Sequence, residues 1–287
     1  MATATAESVD LELISGPPYR TILKLAMPTV VAMLSQSVVN EIDVFNASAV
    51  DSPLIPLLRY PKGQSVAIAE RFNFAWDGRN NAFAATKGAL VALGVEHVNA
   101  IPFGENKSEI KSSHFIRFSG RTAGYFEFTS KGPSIALSLA AGYNLQLNKD
   151  SETYPDRLFF LGGVDTIRAF LADALVPQDV ATGLVKAGET TRSAILTQVP
   201  IRGGNLSINP RVELRVPLND TFQAGFFLDA GNLWKQASAI DYQLRYALGA
   251  GLRIITPVGP LALDYGINLN RRQWEDFGAF HFAIGLF

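Results

Sequence analysis

The sequence predicts an all-β protein, an antiparallel transmembrane β-barrel, partial at about nine strands and preceded by one N-terminal hydrophobic helix. Three observations predict it. From Val66 onward, apolar and polar side chains alternate with period two in run after run, which is the pattern of two-faced strands. Several runs exceed ten residues, longer than the ~5–6 usual in soluble sheets and matching the ~9–11 that cross a bilayer at a tilt. Twenty-four glycines and fifteen prolines punctuate a chain that is 48% hydrophobic, which favours strands and turns over a helical bundle.

Composition removes several function classes. Twenty-five Lys and Arg against 26 Asp and Glu leave a formal charge of −1, so no basic surface for nucleic acid is expected. There is no cysteine, which excludes disulfide frameworks and thiolate metal sites.

In chain order, residues 1–43 read as an N-terminal tail and hydrophobic helix. "ILKLAMPTVVAMLSQSVV", residues 22–39, is about long enough to cross a bilayer, although Lys24, Pro28, Ser35, Gln36 and Ser37 dilute it. As a secretory signal it departs from pattern: Glu7, Asp10 and Glu12 precede it where basic residues belong, and the small-residue "ASA" at 47–49 lies well downstream. "GPPYRTILKLAMPTVVAMLSQSVVNEID", residues 16–43, resembles the first helix of multidrug and toxin extrusion (MATE) transporters, with the "LAMP" proline in its usual place. The likeness stops near Asp43 and no further helix of that kind follows, so transport is not implied. The segment is read as an anchor, an unusual export signal or a fused remnant. Residues 44–65, broken by Pro53, Pro56, Pro61 and Gly63, read as a linker.

The barrel segment is placed at 66–287, with strands at 66–76, 89–99, 114–128, 134–147, 206–218, 222–230, 245–255, 261–270 and 277–287. In 134–147 the apolar face is Ile135, Leu137, Leu139, Ala141, Tyr143, Leu145 and Leu147, while Ser138, Asn144 and Gln146 lie opposite. In 206–218, Leu206, Ile208, Val212, Leu214 and Val216 oppose Asn209, Arg211, Glu213 and Arg215. A soluble sandwich gives the same period. Strand length, and aromatic residues near strand ends (Trp76, Phe126, Phe128, Trp234, Phe280, Phe282), favour a barrel whose apolar face meets lipid and whose charged face lines the lumen.

On that phase Glu213 and Asp229 both point inward. A loop folding back into the lumen could dock the guanidinium of Arg168 on either carboxylate or both, and Gly162 and Gly163 would permit a tight reversal before it. The same spacing also allows a solvated Arg168 with acids that merely line the lumen.

"GGVDTIRAF", residues 162–170, resembles the sixth-loop motif of the BamA/TamA family of outer-membrane assembly barrels (bacterial surface antigen type), with Gly162, Gly163, Thr166, Arg168 and Phe170 at the motif positions and Ala169 where the motif has glycine. "WDGRNNAFAATKG" is similar to the family's D-x-R-N turn. "GGNLSINPRVELRVPL", "FQAGFFLDAGNLW", "ALGAGLRIITPVGPLALDYGINLN" and "FHFAIGLF" look like its last five strands. The resemblance covers about 66–287 and implies a latch of Arg168 on Glu213 and Asp229. It also implies a terminal-strand signal at Phe280, Phe282, Ile284, Gly285 and Phe287, the last out of phase with the others. It implies insertion or secretion of outer-membrane proteins at the bacterial outer membrane, by a member that is truncated or inactive if the family's opening strands and periplasmic POTRA repeats are not supplied by another chain. The expected partners are membrane lipid, nascent outer-membrane proteins and such a completing chain. Alternatives are a small passive pore and a non-functional fusion fragment.

Enzymatic chemistry is not expected. "GQSVA" and "GPSIA" lack the final glycine of a nucleophile elbow, and there is no phosphate loop or zinc signature. His97, His114 and His281 lie on separate strand-like runs and read as interface or lumen residues rather than metal ligands. No catalytic residue, metal or cofactor is therefore assigned.

Overall fold

The computed structural model describes residues 38–47, 63–82, 84–103, 111–256 and 261–284, with 38–47, 63 and 64 as backbone. Its strands are β1 (Val38–Ala47), β2 (Gly63–Asp77), β3 (Gly88–Phe103), β4 (Ser113–Glu127), β5 (Ser134–Gln146), β6 (Leu206–Pro217), β7 (Phe222–Trp234), β8 (Arg245–Ile254), β9 (Leu261–Asn268) and β10 (Gly278–Ile284). They form one ten-stranded sheet in chain order, with β1 and β10 as its edges. Each strand pairs antiparallel with the next, so each connection is a hairpin. The all-β expectation holds, and the architecture is a partial barrel. The 59-residue stretch 147–205 lies at the same end as 235–244 and 269–277, while the tight turns 128–133 and 218–221 lie at the other.

The faces are inverted relative to a soluble sheet. Leu137, Leu139 and Leu145 of β5, Val212 and Leu214 of β6, Phe226 and Leu228 of β7 and Leu263 of β9 are exposed. Between them, Asn144, Asn209, Glu213, Arg215, Asp229 and Asp264 are buried. An exterior of Leu, Val and Phe around an interior of carboxylates and guanidinium groups is stable where the surrounding medium is hydrocarbon.

One correction concerns the start of the sheet. Val38–Ala47, read as the end of the helix and the beginning of the linker, is a strand, with Val38 opposite Phe72 and Ala47 opposite Gly63. The apolar run that precedes it draws a sequence reading towards a helix. Val38, Val39, Ile42, Val44 and Phe45 are strand-favouring side chains, however, and ten residues of β2 offer them a partner ladder. The linker prolines Pro53, Pro56 and Pro61 fall in the connection between the two strands. Among the described residues the sheet therefore holds the nine expected strands and β1 as a tenth. The rest of the expected hydrophobic helix lies outside the described residues.

Residues 147–205 carry two short helices, α1 (Gln178–Lys186) and α2 (Arg192–Gln198). Thr191 caps α2 by accepting from Ala194 N at 3.2 Å. Val176, Ala181, Leu184, Ile195 and Val199 bury against Trp274 of the 269–277 loop. Asp179 accepts from the backbone N–H groups of Lys235 and Gln236 at 3.0 and 2.9 Å, tying α1 to the end of β7.

Candidate functional site

Residues 162–170 form a compact reversal laid on the polar face of β6–β10. Gly162 and Gly163 have φ of +116° and +101°, a region that side-chain-bearing residues rarely enter. Thr166 Oγ1 accepts from Gly162 N at 2.8 Å, and Gly163 N donates to Phe170 O at 2.9 Å, closing the turn on itself. Phe170 and Ile167 then anchor it among Leu161, Leu175, Leu233 and Ala247. Ala169, where the motif has glycine, is buried and lies outside the positive-φ region, so its methyl group costs the turn no backbone strain.

This reversal delivers Arg168 to the centre of the sheet, where it is 1% exposed. Its Nε and backbone N donate to Asp229 Oδ2 at 2.9 and 3.1 Å, and Nη2 donates to Asp229 Oδ1 at 2.8 Å. Nη1 donates to Glu213 Oε2 at 2.7 Å and to Asp264 Oδ2 at 3.1 Å. The Phe227 ring lies 3.4 Å beneath the guanidinium carbon, placing a π-face against the cation. The structure thus brings Arg168, Glu213 and Asp229 together.

Several participants were not singled out from sequence. Asp264 is a third carboxylate on Arg168. Arg253 spans Asp264 and Glu213, donating to Glu213 Oε1 at 3.2 Å, and Arg215 Nε donates to the same oxygen at 3.0 Å. Arg211, read only as lumen lining, lies 3.4 Å from Asp229 Oδ1 and donates to the carbonyls of Asp165 and Val164 at 2.7 and 3.3 Å. Four guanidinium groups therefore share three carboxylates. Burial strips water from most of them, and this mutual pairing does most to offset the cost. His281 of β10 donates from Nε2 to the Arg168 carbonyl at 3.0 Å. The loop is consequently tied directly to β6, β7, β9 and β10, and through Arg253 to β8.

A signal for Asp264 exists in the sequence. "LDAG" at Leu228 to Gly231 and "LDYG" at Leu263 to Gly266 are the same pattern, an inward acid followed two residues later by an inward glycine. A Cβ on Gly266 would come within 2.3 Å of the Arg168 carbonyl oxygen. One on Gly231 would meet Ile208 O at 2.6 Å and Ile167 Cδ1 at 3.1 Å. The acid grips the arginine while the glycine lets the loop lie against the strand.

The other sequence-predicted residues are placed as follows. Phe280, Phe282 and Ile284 are exposed on the outer face of β10, and Phe280 is 4.5 Å from the Tyr265 ring. Gly285 and Phe287 lie outside the described residues. The D-x-R-N turn is closed by Arg79 forking onto Asp77 at 2.8 and 2.7 Å, with Asn80 Oδ1 accepting from Thr86 N and Lys87 N. His97 and His114, expected apart, meet on the outer face of β3 and β4 with their Nε2 atoms 3.1 Å apart. Antiparallel register brings runs that are distant in sequence side by side. No group of three or more His, Cys, Asp or Glu among the described residues is placed to hold a metal ion.

Above the latch, Asp241 in the 235–244 loop accepts from Gln178 Nε2 at 2.9 Å, Gln243 N at 3.2 Å and Trp234 Nε1 at 3.2 Å. Burial pushes its pKa up, but these three donors outweigh it and hold the carboxyl below its ordinary 3.8. Arg272, in the 269–277 loop, is lowered to about 10 by burial and by the neighbouring Arg245.

Comparison with known proteins agrees with this fold. The crystal structure of BamA from Haemophilus ducreyi lacking POTRA domains 1–3 superposes with a TM-score of 0.57 at 19% identity, over 78% of this chain and 43% of that one. The likeness is one of fold, and the chain spans less than half the length of that relative. The family model for the Omp85 superfamily domain matches residues 36–287, which takes in all ten strands and the latch. The chain belongs to the Omp85 superfamily.

Proposed function

We propose that the chain resides in the bacterial outer membrane as a barrel wall that helps to insert or translocate other outer-membrane proteins. The observation that carries this reading is the pairing of an open sheet edge with a clamped lumen loop. β10 is an edge strand, and the loop held by Arg168 reaches it through His281. An edge strand offers unpaired main-chain groups to an incoming strand, which is recognition by strand addition. The latch keeps the lumen loop fixed while that edge exchanges partners. The family membership and the BamA-like fold support the reading.

On this reading the partners are membrane lipid on the outer face, a nascent outer-membrane protein at the edge, and a further chain that completes the wall at β1 and β10, since an open edge in hydrocarbon leaves backbone groups unsatisfied. The work is an exchange of main-chain hydrogen bonds, so no catalytic residue, nucleotide or metal is invoked and the chain is not an enzyme.

The test is reconstitution into liposomes, followed by addition of a urea-unfolded small outer-membrane barrel whose folding is read by heat-modifiable migration. Faster folding than in empty liposomes, reduced by Arg168→Ala, is expected. Folding no faster than in empty liposomes overturns the proposal. High steady conductance without acceleration marks a passive pore, and neither signal marks a fragment without independent activity.

A further inference from the structure

A cavity of about 590 Å³ opens between the 147–205 stretch, the 269–277 loop and the inner face of β10. Ala169 and Phe170 of the latch loop form part of its wall, but Arg168, Glu213, Asp229 and Asp264 do not line it. Phe160, Leu171, Leu196 and Val199 give it apolar walls. Leu171 and Leu196 are each 56% exposed, although they sit on a loop and a short helix rather than on the outer face of the sheet.

The walls carry three donor side chains, Arg192, Arg202 and Trp274, and three acids, Asp173, Glu275 and Asp276. Arg202 spends one nitrogen on the Ala174 carbonyl at 3.0 Å. Burial lowers its pKa, and so does a second cation on the same wall, Arg192. Trp274 is buried, and its Nε1–H has no acceptor among the described residues. The acids on the walls are committed. Glu275 is bonded to Arg245 and Asn268, Asp276 accepts from Arg192 at 2.8 and 3.2 Å, and Asp173 is likewise engaged. Arg202 has no carboxylate partner among the described residues, and a half-buried guanidinium in that position gains from an acceptor, most from an anionic one.

We propose that this cavity binds a small amphiphilic anion, a carboxylate or phosphate head on an apolar chain. Arg202 donates to the head, and Phe160, Leu171, Leu196 and Val199 enclose the chain. Its volume falls within the ~300–1,000 Å³ typical of ligand pockets. Such a head is carried both by free fatty acids and by membrane phospholipids.

The full chain in phosphatidylcholine nanodiscs is titrated with 9,10-dibromostearate while tryptophan emission is followed. Partition into the bilayer quenches linearly, whereas filling of the cavity adds a saturable component. That component is expected to be absent with the methyl ester, to weaken about tenfold or more in Arg202→Gln, and to persist in Trp76→Phe. Leu196→Trp, which fills the cavity without touching the charge, should also abolish it. Nanodiscs carrying dibrominated phosphatidic acid distinguish the sources: extra quenching there assigns a membrane lipid, and quenching by the free acid alone assigns a soluble one. Equal saturable quenching by acid and ester, an unchanged Arg202→Gln, or no saturable component with either probe overturns the proposal.

Discussion

Arg168 and Asp229 are joined by three hydrogen bonds of 2.8, 2.9 and 3.1 Å, one of them from the arginine's own backbone N–H. The carboxylate therefore fixes both the side chain and the turn that presents it, and it is fully buried. Loss of the arginine leaves Asp229, Glu213 and Asp264 facing one another without their shared cation. For Arg168→Ala we expect a loss of about 3–5 kcal/mol, the cost of orphaning buried charges. Arg168→Lys should recover part of it, because an ammonium restores charge but not the fork. Arg211→Ala should cost less: its contact with Asp229 is long, and its remaining bonds are to loop carbonyls. The midpoint of heat-modifiable migration ranks the three variants, and equal midpoints for Arg168→Ala and Arg211→Ala would remove the latch.

The glycines of the repeated acid-and-glycine pattern provide a steric test. Gly266→Ala places a methyl group 2.3 Å from the Arg168 carbonyl and should displace the loop, exposing residues 162–170 to protease. Gly183→Ala, in α1 with nothing within 4 Å, should be neutral or stabilise by up to about 1 kcal/mol through helix propensity. Limited proteolysis and the migration midpoint separate the two.

The absence of native cysteine allows direct mapping of the faces. Single cysteines at Leu137 and Leu214 should react with a lipid-soluble maleimide, and those at Ser138 and Glu213 should not. Leu214→Lys should destabilise by about 2–4 kcal/mol if it lies near the bilayer midplane. Labelling in the opposite pattern would turn the sheet inside out.

Acid should loosen the 235–244 loop. Because Asp241 is held below 3.8 in the folded chain, its contribution is fully present above that value and is lost as pH falls below it through the depressed folded pKa. Trp234, whose indole donates to this carboxylate, should report the change in its emission. Asp241→Asn should abolish the step, and a step that persists in that variant would assign it to another group.

Alternation alone dictates most of the architecture. Leu137 against Ser138, or Leu214 against Glu213, can satisfy both neighbours only in a strand with two unlike faces, and a period of two repeated to the end of the chain permits little else. The inward phase of Glu213 and Asp229 follows from the same rule, and the glycine pair before Arg168 announces a reversal. Three things needed the third dimension. Val38–Ala47 is a strand because β2 supplies a ladder for it, and pairing between segments separated by 48–62 leaves no local trace. Asp264 joins the network because antiparallel register carries β9 to within reach of a loop 96 residues earlier. His97 meets His114 for the same reason. Period is a property of neighbours along the chain, whereas charge pairing is a property of neighbours across it, and only the folded sheet decides which carboxylate a single arginine can reach.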